Sequence, residues 1–227
     1  MKTVIIHGQS HKGSTYHIAR MLAEKIGFDI IEFFLPRDFG EFCLGCTRCF
    51  MESEDKCPHH EKLSPIVDAL DQADVIILAS PVYVYHVTGP MKAFLDHLGF
   101  RWMVHRPAES MFSKQGVCIS TAAGGGTKST NKDMADSLFQ WGVGKIYKYG
   151  CNVRATKWDT VSEKKRRDIE RKTTALAKTI RDSAGHITPG PKTKGLFSIM
   201  RAVGGLSSTD KLYWKKKGWT GKERPWN

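Results

Sequence analysis

Ala73-Asp74-Val75-Ile76-Ile77-Leu78-Ala79-Ser80-Pro81-Val82-Tyr83 is the stretch that decides the fold. Val75 to Ala79 is apolar at every position, without the polar–apolar alternation of a strand that has one face in water. A short unbroken run of this kind, stopped by Ser80-Pro81, reads as a strand covered on both faces. Such strands belong to parallel sheets packed between helices.

Outward from this strand the same alternation appears along most of the chain. Residues 2–7, 28–34, 74–79, 116–121 and 146–153 read as strands. Helices are expected over 16–26, where Ile18, Met21, Leu22 and Ile26 share a side and Gly27 can end the helix. Further helices are expected from Ser64-Pro65 with Ile66, Val67 and Leu70 as the buried stripe, over 90–98, over 128–141 and over 162–183. Five strand–helix alternations predict an α/β fold: a doubly wound five-stranded parallel sheet. Pro189-Gly190-Pro191 then opens a tail rich in Gly, Lys and Trp.

The chain has 227 residues, 41% of them hydrophobic, enough for one substantial domain and an appendage. Its net charge of +12 is uneven: residues 162–227 hold 17 Lys+Arg against 6 Asp+Glu, and the first 161 hold 18 against 17. The excess therefore sits in one helix and the tail, and no helix-turn-helix, zinc-finger or aromatic RNA motif accompanies it. Nucleic acid is not expected as the main partner. The sequence shows no apolar stretch of membrane-spanning length and starts directly in a β-like run, so a cytoplasmic protein without an integral membrane segment is expected. In a reducing compartment the six cysteines are expected as thiols.

Four of those cysteines are clustered: Cys43-x2-Cys46-x2-Cys49-x7-Cys57, with Pro58 behind the last. They fall in the connection after the second strand. Four thiolates at such spacing suit an iron–sulfur cluster, a closed zinc site, or a group of metal-free redox-active thiols; spacing alone leaves all three open. His59, His60 and Glu61 follow and read as a solvated run, with substitute metal ligands as the alternative. Cys118 and Cys151 lie within strands and are expected to be inert buried thiols.

Three loops end strands on the side where doubly wound sheets bind ligands. Ser10-His11-Lys12-Gly13-Ser14-Thr15 runs into a helix N-terminus, where hydroxyls and free N–H groups suit a phosphate monoester. It is neither a Walker loop nor a GxGxxG fingerprint. Ser80-Pro81-Val82-Tyr83-Val84-Tyr85 is stiffened by proline and can line a flat heterocycle, and Thr121-Ala122-Ala123-Gly124-Gly125-Gly126-Thr127 lets backbone approach a ring edge. The run Phe100-Arg101-Trp102-Met103-Val104-His105-Arg106-Pro107 reads as a packed loop with solvated arginines, or as a contact for a nucleotide phosphate or a neighbouring subunit.

On Ser10-x-Lys12-Gly13-Ser14-Thr15, the run 73–83, Gly89-Pro90-Met91-Lys92-x-Phe94-Leu95-Asp96 and Gly124-Gly125-Gly126, the chain resembles the flavodoxin-like NAD(P)H-dependent FMN reductases, including the iron–sulfur flavoproteins. The resemblance covers about residues 1–183. It implies the strand order 2-1-3-4-5 and an FMN-binding domain over 1–184, followed by a basic, aromatic-rich extension over 185–227. It also implies that Ser10, Ser14 and Thr15, with Lys12 adding charge, hold the FMN phosphate, and that Pro81, Val82, Tyr83 and Val84 with Ala122, Ala123, Gly124 and Gly125 wrap the ring. Cys43, Cys46, Cys49 and Cys57 are similar to the compact motif that holds a [4Fe–4S] cluster in the iron–sulfur flavoproteins.

The function so implied is electron transfer from NAD(P)H through FMN to a small-molecule or protein acceptor, by a homodimer or homotetramer. A non-enzymatic flavin/iron–sulfur electron carrier is the alternative. The tail, with Leu196 to Val203 as an amphipathic helix and Tyr213, Trp214, Trp219 and Trp226 among lysines, is expected to expose its aromatics to a membrane surface or an oligomer interface.

Overall fold

The computed structural model describes residues 2–27 and 29–227. Strands β1 (Lys2–His7), β2 (Asp29–Phe34), β3 (Val75–Pro81), β4 (Gln115–Ala122) and β5 (Lys145–Asn152) form one parallel sheet in the order β2-β1-β3-β4-β5. Phe28, the expected first residue of β2, lies outside the described residues. The helices are α1 (Ser14–Ile26), α2 (Arg48–Met51), α3 (His60–Gln72), α4 (Gly89–His97), α5 (Thr127–Gln140), α6 (Glu163–Asp182), α7 (Pro191–Val203) and α8 (Ser208–Lys216).

The unbroken apolar strands are unbroken because each serves two cores. Val4, Ile6, Ile76, Leu78 and Cys118 pack with Leu70, Phe94, Leu138 and Trp141 on one face. Their neighbours Ile5, Val75, Ile77, Val117 and Ile119 pack with Ile18, Leu22, Ile169 and Ile180 on the other. Consecutive strand residues point to opposite faces, so both must be apolar when helices cover both. Because β2 and β3 flank β1 on opposite sides, the order reverses between β1 and β3, and a crevice opens beyond their carboxyl ends.

Local chemistry sets the helix ends that matter here. The Thr88 hydroxyl accepts from Met91 N–H at 3.2 Å, capping α4, and donates to the Gly8 carbonyl at 2.5 Å, which joins the ends of β1 and β3. Helix α3 starts at His60, a turn before the Ser64-Pro65 start read from sequence. Pro65 is its sixth residue and has no N–H for the Glu61 carbonyl. The first turn closes through Leu63 N–H to the His59 carbonyl at 3.1 Å.

Beyond residue 184 the structure departs from the sequence reading. The tail forms two helices; Phe197, Trp214 and Trp219 are buried against the same chain, where exposed aromatics were expected, while Tyr213 and Trp226 are half-buried. Phe197, Trp214 and Trp219 join Met103 and Phe112 in a third core. Trp214 Nε1 donates to the His105 carbonyl at 2.7 Å and the Tyr213 hydroxyl to the Pro107 carbonyl at 2.6 Å. The arginines of the 100–107 loop are likewise buried and paired, where solvated ones were expected. Arg101 makes a two-pronged contact with Asp71, 2.5 Å on each side, and Arg106 Nη1 donates to Asp210 at 2.6 Å. A guanidinium can be buried when a carboxylate matches its fork. Sequence alone shows the cation but not that match.

Candidate functional site

The crevice between β1 and β3 is a cleft open to solvent and lined from four strand ends. Its floor is the start of α1. Gly13 occupies the N-cap position and offers no side-chain acceptor, and the first helical bond runs from His17 N–H to the Gly13 carbonyl at 3.1 Å. The N–H groups of Ser14, Thr15 and Tyr16 therefore point out of the helix unpaired, at the positive end of its dipole. Thr15 is buried, with its hydroxyl 2.6 Å from that of Thr121, which ties the α1 floor to the end of β4.

One side wall is the end of β3. Val82 N–H donates to the Thr121 carbonyl at 2.9 Å, and Tyr83 and His86 exchange backbone hydrogen bonds at 3.0 Å. The turn between them holds Val84 at φ +47° and Tyr85 at φ +68°. Two non-glycine residues in the left-handed region cost of order 1–3 kcal/mol each, and such strain gathers at ligand clamps. The turn holds the Tyr83 hydroxyl where Gln9 Nε2 donates to it at 2.6 Å, across the cleft mouth. Behind the turn Gly126 sits at φ +94°, and a Cβ there would lie 2.6 Å from Val82 Cγ1. Only glycine permits that approach.

Of the residues singled out from sequence, Ser14, Thr15, Pro81, Val82, Tyr83, Ala122 and Ala123 line this cleft. Five others do not. The Ser10 hydroxyl donates to the Leu35 carbonyl at 3.1 Å, and the Lys12 ammonium lies over the Tyr16 ring, 5.2 Å from its centre. Val84 is 92% exposed at the tip of its turn. Gly124 and Gly125 are exposed beyond the rim, and Asn152 donates to the Gly124 carbonyl.

Thr121, the first residue of the third loop read from sequence, lines the cleft as well, and sequence reasoning missed His7, Gln9, Tyr16 and Thr156, which also do. A polar residue closing an apolar strand was the available signal for His7. His7 is 3% exposed, stacks on Phe34 at 4.5 Å and donates from Nε2 to Glu32 at 2.7 Å, while Arg20 reaches Glu32 at 2.6 Å. Burial outweighs the Glu32 contact and holds the His7 pKa below the ordinary 6.5, so the cleft floor carries a neutral imidazole at neutral pH.

The cysteine loop forms a second group. Cys43 and Cys46 are exposed, and Cys49, on α2, and Cys57 are half-buried; none is in a disulfide. Burial first, then the neighbouring Cys57, Cys43 and Cys46, push the Cys49 thiol up to about 11. Around a single zinc ion four sulfurs would lie about 3.8 Å apart. Among the described residues, the metal-binding atoms that close to within 4.8 Å are those of Cys57, His59 and His97, without the other three thiols. That arrangement departs from a four-thiolate zinc site, and it sets His59 against a buried neighbour where a solvated run was expected. His59 Nδ1 is 2.8 Å from His97 Nε2, and His97 Nδ1 donates to the Ala93 carbonyl at 2.7 Å. Cys118 and Cys151 are buried in the two main cores, and burial pushes Cys118 up to about 12.

The C-terminal helices hold α2 in place. Arg106 donates to the carbonyls of Cys49 and Phe50, the second at 3.3 Å, while Ser207 donates to Phe50 at 3.1 Å and Thr209 to Met51 at 2.8 Å. Asp210, fully buried, accepts from Arg106, from His105 Nδ1 at 2.8 Å and from Ser207 N–H at 3.2 Å. Burial pushes its carboxyl pKa up, but these donors outweigh it and hold the group below the ordinary carboxylate value.

Known proteins resemble this chain in sequence or in fold. An iron–sulfur flavoprotein of Archaeoglobus fulgidus is 27% identical over 201 residues, 86% of this chain and 87% of that protein. A second, of Methanocaldococcus jannaschii, is 27% identical over 154 residues, 63% of this chain and 73% of that protein. Among solved structures, an FMN-dependent NADH-azoreductase of Bacillus anthracis superposes with a TM-score of 0.57 at 13% identity, over 78% of this chain and all of that one. An NAD(P)H:quinone oxidoreductase of Methanothermobacter marburgensis gives 0.55 at 14% identity, over 78% and 96%. At that identity the structures attest the flavodoxin-like fold alone. The family described as NADPH-dependent FMN reductase matches residues 1–149, and the chain belongs to that family of NAD(P)H-dependent flavin oxidoreductases.

Proposed function

We propose that FMN seats in the β1–β3 cleft and that this chain passes electrons from NAD(P)H through it to a small-molecule or protein acceptor. The observation that carries the reading is the uncapped start of α1 at the cleft floor. Its free N–H groups with the Ser14 and Thr15 hydroxyls form a phosphate seat. The residues present fit the cofactor: Pro81, Val82, Tyr83, Ala122 and Ala123 offer a flat, largely apolar wall, and the Tyr83–Gln9 bond fixes its polar rim. When bound, FMN supplies hydride acceptance from the nicotinamide and release of one or two electrons; the protein supplies position and electrostatics. The neutral His7 adds no charge beneath the seat, while the α1 dipole attracts the phosphate.

We infer further that Cys43, Cys46, Cys49 and Cys57 hold a [4Fe–4S] cluster. Two relatives named iron–sulfur flavoproteins and four disulfide-free thiols close enough to disturb one another support this. In the same reading residues 1–184 are the FMN-binding unit and 185–227 an extension that braces α2; the assembly is a homodimer or homotetramer in the cytoplasm. The described residues contain no helix long and apolar enough to cross a membrane.

The test is anaerobic stopped-flow mixing of FMN-loaded protein with NADPH and with NADH. Bleaching of the flavin band within seconds is expected, and a flavin that neither coenzyme reduces within minutes would refute the reductase. Iron analysis of the same sample should give about four irons per chain, and iron-free protein after anaerobic reconstitution removes the cluster.

A further inference from the structure

Away from the flavin cleft, the end of the cysteine loop meets the end of α4. Cys57 and His59 lead into α3, and His97 is the last residue of α4. The Cys57 Sγ and a ring nitrogen of each histidine all lie within 4.8 Å of one another.

The two imidazoles are held with ring nitrogens facing. His97 is 4% exposed, and its Nδ1 is 2.7 Å from the Ala93 carbonyl, which can only accept. The proton is therefore on Nδ1, and the Nε2 lone pair is turned toward His59 Nδ1 at 2.8 Å. Imidazoles that bind metals are commonly oriented by such a bond to a carbonyl. Phe39 packs edge-on against the His97 ring, 4.8 Å between centres, which fixes its plane. His59 occupies the N-cap position of α3, yet its side chain caps nothing. His60 N–H to the Cys57 carbonyl at 3.0 Å and Leu63 N–H to the His59 carbonyl at 3.1 Å pin the backbone that carries the thiol and the second ring. Around a tetrahedral zinc ion the two nitrogens would lie about 3.3 Å apart and the sulfur about 3.6 Å from each. The group reaches that spacing with shifts of at most about 1.2 Å.

We propose that Cys57, His59 and His97 bind one zinc-like divalent ion, with water in the fourth position, when the loop carries no cluster. One thiolate and two imidazoles suit a borderline ion of this kind. On binding, the Cys57 thiol releases its proton to solvent. The ion replaces the proton between the two rings, and His59 carries that proton on Nε2 instead. No electron is exchanged. Cys57 cannot serve a four-cysteine cluster at the same time, so ion and cluster exclude each other. The site goes beyond the flavin reading and shares only Cys57 with the cluster reading.

The test titrates cobalt(II), a spectroscopic stand-in for zinc, into the full FMN-loaded chain freed of iron by a chelator under reducing conditions. One equivalent of four-coordinate cobalt is expected, seen by its d–d bands at wavelengths beyond the flavin absorption, and zinc should displace it. Cys43→Ser/Cys46→Ser/Cys49→Ser should keep those bands, while Cys57→Ser and His59→Ala should weaken cobalt binding at least about tenfold. His59 is half-buried, so its variant is expected to fold; His97→Gln, at the buried position, should act in the same direction. One prior equivalent of zinc should block reconstitution with iron and sulfide in the unaltered chain but not in His59→Ala. Cobalt binding that is lost in the triple serine variant, or that His59→Ala leaves unmoved, overturns the proposal. A chain that loads about four irons but binds no cobalt refutes this site and not the cluster. A chain that binds cobalt as described but takes up no iron refutes the cluster and not this site.

Discussion

Replacing Asp210 with alanine should destabilise the protein and loosen the cysteine helix together. Asp210 is fully buried and is the nearer of two carboxylates on Arg106, itself 7% exposed; the other, half-exposed Glu54, lies 3.6 Å from Nε. Removing Asp210 leaves the buried guanidinium only that distant, solvated partner, which costs about 3–5 kcal/mol, nearer the lower figure. At roughly 2–4 °C per kcal/mol for a chain of this size, the midpoint of thermal unfolding should fall by roughly 6–20 °C. Arg106 is also the donor to the Cys49 and Phe50 carbonyls, so its escape toward water frees the end of α2. Cys49, half-buried with its thiol pushed up to about 11, should then react faster with a disulfide reagent, while exposed Cys43 and Cys46 change little. The double variant Asp210→Leu/Arg106→Met removes both charges and should recover most of the stability but not the helix restraint. A loss under about 1 kcal/mol in Asp210→Ala, or Cys49 labelling unchanged in both variants, would refute the reasoning.

Thr88→Val keeps the shape of a buried residue but strands the Gly8 carbonyl and the Met91 N–H, and should cost about 1–3 kcal/mol in urea unfolding. Gly126→Ala sets a methyl group 2.6 Å from Val82 Cγ1 on a backbone at φ +94°, so FMN affinity, read by fluorescence quenching, should drop at least about tenfold as the β3 turn is displaced. His7 is harder to protonate folded than unfolded, so its contribution to stability is constant above pH 6.5 and falls as pH drops below that value. The loss is about 1.4 kcal/mol for each pH unit between the two pKa values. Urea midpoints from pH 7.5 down to 5 should fall less steeply in His7→Phe than in the wild type, and identical slopes would show that His7 is not the group responsible.

What the sequence made legible follows from how local each determinant is. The strands of the sheet were readable because burial on both faces demands unbroken apolar runs such as Val75 to Ala79. The start of α3 was misread because Pro65 is a good first helical residue by itself, and only the bond from Leu63 to His59 shows an earlier turn. At the cleft, the helix start at Ser14-Thr15 and the turn after Pro81 were visible as capping and proline chemistry. Ser10, Lys12 and Val84 were implied by the family resemblance, but their side chains are directed elsewhere by the Leu35 carbonyl, the Tyr16 ring and a left-handed turn. The tail was the least legible part. Trp214 and Trp219 pack on each other and on Phe197, but the core they complete also needs Met103 and Phe112, about a hundred residues earlier.

The bracing of α2 also imposes an order on synthesis. Ser207 and Thr209 hold carbonyls that lie 157 and 158 residues before them in the chain. At about 5–20 residues per second, the cysteines leave the ribosome roughly 8–31 s before those partners exist. During that interval Arg106 is the donor from the rest of the chain that can hold the end of α2, through the Cys49 and Phe50 carbonyls. The loop takes its full bracing only after α8 has been made and docked, so its final geometry is a late event in the maturation of the chain.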